Sequence, residues 1–548
     1  MKKAFFYLFA AMTLFSAASC VKETIGDPCA NTYNEGRVLC ATFDNQGPAT
    51  KTTLEGLTPK WAAGDAIRFT DGTNSLTVTL VASDPKEGQA LISDGGAKFS
   101  VSIPDSWGST IYAVSPASSF NSISSGKIRF TIPYNQDGSF ARANICVAKT
   151  NDNTIAFKNA AAIVKVGSAE DDINYVSIPV RNIAGLFEVA TPGDEPTVVS
   201  GKGVHKVLVN TSGAEHYAAV APVTVEEGTW LLFEDVDNTI VGAQKTSQPN
   251  VFFVGSLYDL GDVAKNDLLP EGMLRHAFTM SSDGRKSHFS KSNCVAVYNG
   301  ESFDFSFFDE QFGCVGATSG NIDIFEGNLA VGDAFDYFGW VGASGSLPEY
   351  GITNDADDAK YGLTASEAIK ADWGLAYGAA SPWHTPSSGE FKYLYTTRVT
   401  ETKGLAKNAH YALICADDHY GLLFFPDKFE WTSEMGDAPT DLDKADTPRN
   451  KIPQYTLKNY RAMEEAGCVF LYAAGFRHPT NADQIVQGIN EKLYYWLGGT
   501  AAANKSGKGQ ATSINGQFLY DEGAGTNSIN FARATTRKNF YCVRMTTY

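Results

Sequence analysis

The residues that could carry out catalytic chemistry in this sequence are few and scattered. Its eight histidines form no His-Glu-x-x-His pair, the spacing that places two zinc ligands on one helix face. The chain also lacks a Gly-x-Ser-x-Gly nucleophile turn and a phosphate-binding P-loop. Carboxylates are plentiful, but a sequence gives no distance between them, so a glycosidase pair is neither supported nor excluded. We therefore predict no catalytic residue, no metal site and no cofactor.

The nine cysteines show no CxxC or Cys/His spacing of the kind that binds metals. Cys20 belongs to the N-terminal leader, and most of the others lie in apolar runs, such as Cys468 in GCVFL and Cys542 in NFYCVRM. Thiols in such runs are usually small core residues, although the sequence does not choose among disulfide pairings. We predict buried free thiols.

One loop-like segment concentrates aromatic side chains that have polar edges. DWGLAYGAASPWHTP places Trp373, Tyr377, Trp383 and His384 among Gly, Pro and Ser residues. Trp and Tyr rings offer a flat apolar face with a hydrogen-bonding edge, which suits sugars or protein hot spots. We predict a ligand site here, with Trp383 and His384 as the first candidates. The alternative is that Trp373 and Trp383 anchor long loops to the core.

The N-terminal leader has the features of an export signal. Two lysines precede a mostly apolar run from Ala4 to Phe15, and small residues separate that run from Cys20. The run is too short to cross a bilayer, which takes about 20 residues. Small residues directly before a cysteine resemble the lipobox of bacterial lipoproteins. This resemblance implies a signal peptide over 1–19, a palmitate-bearing Cys20 and a lipid anchor in the outer membrane at the cell surface.

The composition and the strand pattern predict a mostly β protein. Residues 20–36 are polar and rich in turn formers, as expected of a tether. Short alternating runs such as RVLCATF, SLTVTLVAS and KIRFTIP follow, each bounded by Gly, Pro, Asn or Asp. This pattern is typical of β-sandwiches. A net charge of −17 without a basic cluster would repel a phosphate backbone, so we expect no nucleic-acid partner.

The N-terminal half carries an ordered series of motifs. KTTLEGLTPKWAAGDAIRF (Lys51–Phe69) is followed by TIYAVSP, IPYNQDG, IAFKNAAAIVKV, HYAAVAPVTV and GSLYDLGDV. Over residues 38–265 this series resembles the fimbrillin family of Bacteroidetes. The resemblance implies two transthyretin-like β-sandwich domains, over 37–165 and 166–268. Within the first motif we predict that Trp61 is a core residue and Asp65 a turn residue, rather than catalytic groups.

The same resemblance implies a mode of assembly. Fimbrillin-like subunits exchange strands, because a groove vacated in one subunit has unpaired N–H and C=O groups that accept a strand of another. In the family, proteolysis after an arginine early in the mature chain opens that groove. Arg37 in NEGRVLCATF directly precedes the first predicted strand and is therefore the candidate maturation site. The alternative is that Arg37 is an ordinary exposed arginine.

Beyond residue 270 the sequence is richer in aromatic residues and Gly-Trp pairs. Typical phrases are DAFDYFGWVGASG, ADWGLAYG, EFKYLYTTR, YGLLFFPDKFEW, LYYWLGG and KNFYCVRM. TLKNYRAMEEAG predicts the one clear helix, because Leu457, Tyr460 and Met463 recur every three residues and Gly467 can end it. VFLYAA then predicts a buried strand.

This C-terminal series resembles the formylglycine-generating-enzyme-like branch of the C-type lectin fold, over 272–548. The resemblance implies an α+β domain with long loops over a small twisted sheet, which we assign to 270–548. The oxidase relatives bind copper through two nearby thiolates close to the C-terminus. This chain has only Cys542 in that region, and Cys468 lies in a different motif. We therefore predict a binding module rather than an oxidase.

Together these features predict the tip adhesin of a fimbria-like filament. The fimbrillin-like half would join other fimbrial subunits by strand exchange, and the lectin-like half would meet a host or bacterial surface glycan or protein. A large domain appended after the second sandwich would block strand donation, so such a subunit would accept a strand and give none. Two alternatives stay open: a lipid-retaining anchor or minor subunit, and a surface lipoprotein enzyme, either a relic oxidase or a glycan-active protein.

Overall fold

The computed structural model describes residues 36–43, 60–168, 170, 172–211, 216–316, 321, 329–340, 351–352, 372–478, 486–503, 509–518, 530–535 and 539–548. The predicted signal peptide, Cys20 and the tether up to residue 35 lie outside these residues. Within them the protein is mostly β, as predicted. None of the described helices is both long and apolar enough to span a bilayer.

The N-terminal residues form a closed β-barrel. The elements of this region are β1 (Arg37–Phe43), β2 (Ala66–Thr70), β3 (Ser75–Val81), β4 (Gln89–Ser93), β5 (Lys98–Ile103), β6 (Ile111–Ser115), β7 (Phe120–Ser124), β8 (Lys127–Ile132), β9 (Asn135–Gln136), α1 (Phe140–Ala143), β10 (Cys146–Thr150) and β11 (Thr154–Asn159). The barrel order is β1-β11-β10-β6-β2-β3-β4-β5. The expected first sandwich is therefore closed, because β1 pairs in parallel with β11 and antiparallel with β5.

The barrel core confirms the roles predicted for the Trp-x-x-Gly-Asp motif. Trp61 is 3% exposed, and its ring meets those of Phe99 and Phe157 edge-on at centroid distances of 5.1 Å. The Asp65 carboxylate accepts a hydrogen bond from the Ala62 N–H at 2.8 Å, which closes the turn into β2. Both residues are structural.

Three sheets and a two-stranded ribbon follow the barrel. Their further strands are β12 (Ala162–Ser168), β13 (Tyr175–Ile178), β14 (Ala184–Val189), β15 (Thr197–Val204), β16 (Val207–Asn210), β17 (His216–Val220), β18 (Thr224–Val225), β19 (Trp230–Glu234), β20 (Ile240–Lys245), β21 (Asn250–Val251) and β22 (Leu257–Val263). The sheet orders are β17-β12-β22, β20-β19-β13-β16-β9 and β15-β14-β8-β7, and the ribbon is β18-β21. We call the strands β12 to β22 the second unit. Because β7, β8 and β9 pair with strands of this unit, strand pairing crosses the predicted boundary at residue 165.

The C-terminal residues build a large sheet and several small ones. The elements are β23 (Met273–Thr279), β24 (Lys286–Tyr298), β25 (Phe303–Phe307), β26 (Ala334–Phe335), β27 (Trp383–His384), α2 (Ser388–Thr396), β28 (Glu401–Lys403), β29 (Tyr411–Ala416), β30 (His419–Phe424), β31 (Lys428–Glu430), β32 (Gln454–Tyr455), α3 (Leu457–Glu465), β33 (Val469–Tyr472), β34 (Phe476–Arg477), β35 (Val486–Gln487), β36 (Lys492–Ala503), β37 (Gly509–Gln517), β38 (Asn530–Thr535) and β39 (Cys542–Thr547). The main path of the large sheet is β23-β24-β39-β36-β37-β38. Its last strand in sequence, β39, is thus an interior strand.

The helices show what local sequence does and does not reveal. The predicted helix α3 is confirmed: Tyr460 and Met463 are buried, and Gly467 follows at a φ of 89°. Leu457 is 39% exposed, so the buried face is narrower than predicted. Helix α2 was not predicted, because EFKYLYTT is rich in Phe, Tyr and Thr, which favour strands. A capping box between Ser387 and Glu390 starts it.

A buried ion pair joins the second unit to the C-terminal sheet. Lys206 Nζ lies 3.3 Å from Glu234 Oε1, and their side chains are 2% and 0% exposed. The Lys206 ammonium also donates to the Lys286 carbonyl on β24 at 3.4 Å. Burial opposes ionisation of Glu234, but the nearby Lys206 charge and hydrogen bonds lower its pKa to about 2. Asn238 donates to the same carboxylate at 2.9 Å and the His288 imidazole on β24 lies 3.7 Å from it, so Lys206 is the main but not the sole partner of Glu234.

A candidate ligand-binding cleft at the junction

A cleft of about 560 Å³ lies where the second unit meets the C-terminal sheet. Four stretches of chain supply its lining: residues 228–245 at the β19–β20 hairpin, 269–271 in the connection, 305–307 on β25 and 377–383 in the aromatic loop. The volume falls in the range of about 300–1,000 Å³ that small-molecule sites occupy. The cleft is therefore a candidate for a ligand site.

Trp230 and Lys245 form the part of the cleft that the second unit contributes. They are cross-strand partners on β19 and β20, and the Lys245 Nζ lies 4.7 Å from the Trp230 ring centroid. This distance allows a cation–π contact. Trp230 is only partly buried although the next four residues of β19 are buried. The ring therefore reaches the surface at the end of a core strand.

A second aromatic group comes from β25 and the loop. The rings of Phe307 and Tyr377 stack at 5.1 Å with an interplanar angle of 12°, and Trp383 meets Phe307 edge-on at 5.0 Å. The Tyr377 hydroxyl donates to the Ser306 carbonyl at 2.9 Å. Burial raises the pKa of Tyr377 well above its usual value, so the phenol stays protonated and remains a donor. These contacts fix the ring positions in advance of any ligand.

The structure brings two of the four predicted loop residues to the cleft. Tyr377 and Trp383 line it, whereas Trp373 and His384 are not part of its lining. Trp373 is 0% exposed and Trp383 is 3% exposed. Such deep burial favours the alternative that both tryptophans anchor the loop, with Trp383 presenting only a small part of its surface to the cleft.

His384 belongs to a polar cluster beside β39. Its ring stacks on that of Tyr548 at 4.8 Å and 9°, and its Nε2 lies 3.5 Å from Glu390 Oε2. Burial opposes ionisation of Glu390, but His384 and hydrogen bonds from Ser387 lower its pKa to about 2. His384 therefore supports the end of β39 and the start of helix α2.

Tyr548 connects this cluster to the second unit. Its ring meets that of His205 edge-on at 4.8 Å, and the Arg181 guanidinium lies 4.9 Å from its centroid. Arg181 is in turn paired with Asp372 at 2.9 Å. Burial and the neighbouring His384 and Arg181 lower the pKa of His205 to about 4. The ring of Tyr548 is thus clamped between residues from both sides of the junction.

Arg37, the candidate maturation site, is the first residue of β1. Its guanidinium donates to Asn153 Oδ1 at 3.1 Å, to the Ser109 carbonyl at 3.0 Å and to the Asp152 carbonyl. Cleavage after Arg37 would leave residues 38–43 of β1 attached to the rest of the chain. A cut at this position would therefore not by itself remove a described strand from the barrel.

The thiols agree with the prediction from their apolar runs. The seven cysteines within the described residues are free, and five of them, including Cys468 and Cys542, are buried. Burial raises the pKa of both thiols well above the usual value, which disfavours the thiolates that copper needs. In the described part of the chain, no group of three or more His, Cys, Asp or Glu side chains is arranged to hold a metal ion.

Sequence reasoning missed the cleft residues outside the aromatic loop. Trp230 opens the run WLLFE, whose other residues are core residues, so its type and position gave no reason to separate it from them. Lys245 is a single charge in a polar stretch, and Glu271 is a single charge between Pro270 and Gly272. One usable signal was a tryptophan next to the Gly228 turn, at a strand end where a side chain can emerge.

No protein-family model and no curated protein matches the chain. Among solved structures, it is similar to a protein from Bacteroides uniformis provisionally assigned to cell adhesion, at 18% identity and a TM-score of 0.27, over 42% of this chain and 93% of that one. A protein from Bacteroides ovatus with the same provisional assignment matches at 13% identity and a TM-score of 0.26, over 42% and 92%. A fimbrial protein from Bacteroides ovatus matches at 10% identity and a TM-score of 0.19, over 94% and 100%. TM-scores this low establish neither a common fold nor a function.

Proposed function

We propose that the protein is a cell-surface, fimbria-like tip subunit, an adhesin that accepts a strand from another subunit and donates none. The position of β39 is the observation that supports this proposal. β39 lies between β24 and β36, and all six of its residues are buried. Withdrawing it would split the largest sheet and expose its core, so these residues are not available to a neighbour.

Strand acceptance is assigned to the barrel. β1 closes it between β5 and β11, and of its seven residues only Leu39 and Ala41 are buried. Removing β1 would leave two facing edges with unpaired N–H and C=O groups. An extended segment of alternating apolar residues from another subunit has the shape and hydrogen-bonding groups to fill that gap.

Maturation and groove opening are separate events in this proposal. A cut after Arg37 would shed a lipid carried on Cys20 but leave β1 in the barrel. Release of β1 needs a cut, or a displacement, beyond Phe43, and Lys51 is the one basic residue in the range 44–59. The guanidinium contacts of Arg37 favour the second candidate function, a subunit that stays uncut and keeps its lipid as an anchor.

The C-terminal residues 270–548 are proposed to present the binding surface. The likeness to a C-type-lectin-like module and the absence of enzymatic activity both belong to this proposal. Support comes from the cleft with its fixed aromatic rings and from the buried, protonated Cys542 and Cys468.

A disulfide lock tests whether β1 must leave. Cys40 and Ser100 are Cα partners across β1 and β5, so Ser100→Cys places a second thiol opposite a native one. We expect the oxidised variant to co-purify at least about tenfold less partner subunit from the producing bacterium than the wild type does. Reduction should restore the complexes.

The matched control is Ser102→Cys, which faces Val38 on the same pair of strands and has no thiol to join. It should capture partners as the wild type does. If the oxidised Ser100→Cys protein captured partners normally, β1 exchange would not be the route of assembly.

A further inference from the structure

We propose that the junction cleft binds a short neutral saccharide, held by Trp230 and Tyr377 together with Lys245 and Glu271. This inference rests on the proposed adhesin function and names the ligand class and the residues that would recognise it. The cleft is built from both the second unit and the C-terminal residues, so the binding site is not confined to the lectin-like half.

The aromatic rings suit the less polar faces of sugar rings. Trp230 on one side and the Phe307–Tyr377 stack on the other supply apolar surface that is only partly buried without a ligand. Pyranose rings carry C–H groups on their faces and hydroxyls at their edges, a distribution that matches an aromatic surface with polar groups beside it. A wholly apolar ligand would leave those polar groups desolvated.

The two charges in the lining are of opposite sign and have no ion-pair partner. Lys245 and Glu271 are both exposed, and within the described residues neither forms a salt bridge. The ammonium can donate to a hydroxyl oxygen, and the carboxylate can accept from a hydroxyl hydrogen. Sugar hydroxyls do both. One cation and one anion in the lining give no net charge for a phosphate or a polyanion, which is why a neutral ligand is favoured.

The walls of the cleft are held in place by groups that are not part of it. The Tyr377 hydroxyl is bonded to the Ser306 carbonyl, and the Lys206–Glu234 pair links the sheet carrying Trp230 to β24. β24 pairs in turn with β25, which carries Phe307. Little ordering is then left for the ligand to impose, which favours binding of a small molecule.

The test is a printed array of neutral and sialylated oligosaccharides probed with the full chain. Titration calorimetry with the strongest neutral trisaccharide on the array would follow. We expect neutral oligosaccharides to bind. Trp230→Ala and Glu271→Gln should each weaken the affinity at least about tenfold. Trp230→Phe, which keeps a ring, should restore part of the loss.

Phe253→Ser is the matched control, because Phe253 is 61% exposed and lies outside the cleft lining. It should leave saccharide binding unchanged. The inference is overturned if no saccharide on the array binds, if only sialylated ones bind, or if Trp230→Ala and Glu271→Gln bind as the wild type does. The co-purification assay used for the Ser100→Cys lock separates this inference from the proposed function. If only the saccharide inference fails, the Trp230→Ala protein still captures partner subunits as the wild type does. If the proposed function itself is wrong, the oxidised Ser100→Cys protein captures partner subunits as well as the wild type does.

Discussion

The two outermost described strands of this protein, β1 and β39, are held in different ways. β1 closes a barrel by pairing with β5 and β11, and two of its seven residues, Leu39 and Ala41, are buried. β39 runs through the interior of the largest sheet, and every one of its residues is buried. In the proposed assembly the barrel exchanges β1, whereas the C-terminal sheet keeps β39.

Each strand lies between two neighbours, so the extent of side-chain burial, rather than position near a chain end, separates the two. A strand that buries few of its side chains leaves a groove that another strand can occupy. A strand that carries a core leaves two exposed apolar faces when it is removed. The Tyr548 clamp adds to this, because it fixes the end of β39 to Arg181 and His205.

The largest effect should come from deleting each strand. A chain ending at Tyr541, without β39, should lose cooperative unfolding in urea and become sensitive to protease throughout residues 270–541, since its sheet core is exposed. A chain lacking residues 1–43 should keep the cooperative transition of the C-terminal region. If both deletions abolished the cooperative transition of the C-terminal region, β1 and β39 would not differ in how much of the fold depends on them.

Removing one partner of the buried pair should destabilise the junction. Lys206→Met leaves the buried Glu234 carboxylate with only Asn238 and the His288 imidazole, 3.7 Å away, as partners, which costs about 3 kcal/mol of unfolding free energy. Lys127→Met is the control, because its partner Glu188 also pairs with Arg129 and Lys127 is 44% exposed. That change should cost less than about 1 kcal/mol in urea unfolding. If the two variants lost the same unfolding free energy, the buried Lys206–Glu234 pair would stabilise the protein no more than an exposed ion pair does.

Replacing Trp383 should mainly lower the stability of the protein, whereas replacing Trp230 should mainly weaken ligand binding. Trp383→Ala should cost about 3 kcal/mol of unfolding free energy, because its buried ring fills the space beside Phe307. Trp230→Ala should cost less, about 1 kcal/mol, because its ring is partly exposed. Thermal unfolding of both variants measures this. A Trp383→Ala protein with unchanged melting temperature would contradict the anchoring role.

The smallest effect is a pH dependence at the Tyr548 clamp. The folded pKa of His205, about 4, lies below its ordinary value of 6.5. Between these values the unfolded chain binds a proton that the folded protein does not, so stability falls as the pH drops from 6.5 to 4. We expect His205→Gln to reduce this fall by about 1 kcal/mol between pH 7 and pH 5.

The comparison with the wild type isolates His205 from other titrating groups. Asp336 acts in the opposite direction, because burial raises its pKa to about 6 and its contribution grows as the pH drops from 6 toward 3.8. Its effect is common to both proteins and cancels in the difference. An identical pH slope in the two proteins would show that His205 does not titrate with folding.

Local sequence patterns were sufficient to predict the parts of the fold that depend on residues close together in the chain. The helix at Leu457–Glu465, the buried strand Val469–Tyr472 and the core position of Trp61 follow from periodicity, a glycine stop and residue type. Helix α2 was missed, since its strand-forming residues hid a capping box at Ser387. Here propensity and capping disagree, and tertiary packing decides.

The pairing of strands that are far apart in the chain could not be predicted from the sequence. The closure of the barrel by β1 and the pairing of β8 with β14 join residues far apart in the chain, and neither register is written in a local pattern. The cleft has the same origin, because Trp230, Glu271 and Tyr377 meet only after three separate stretches have packed. Tyr377 and Trp383 could be named from residue type alone, while their partners could not.

The position of this protein in filaments from the producing bacterium distinguishes a tip subunit from a shaft subunit. Gold-labelled antibodies against residues 270–548 should mark one end of each filament, with one partner subunit cross-linked to the barrel. Label along the shaft, with the protein cross-linked to a subunit on both sides, would show that it donates a strand as well as accepting one, and the account would be wrong.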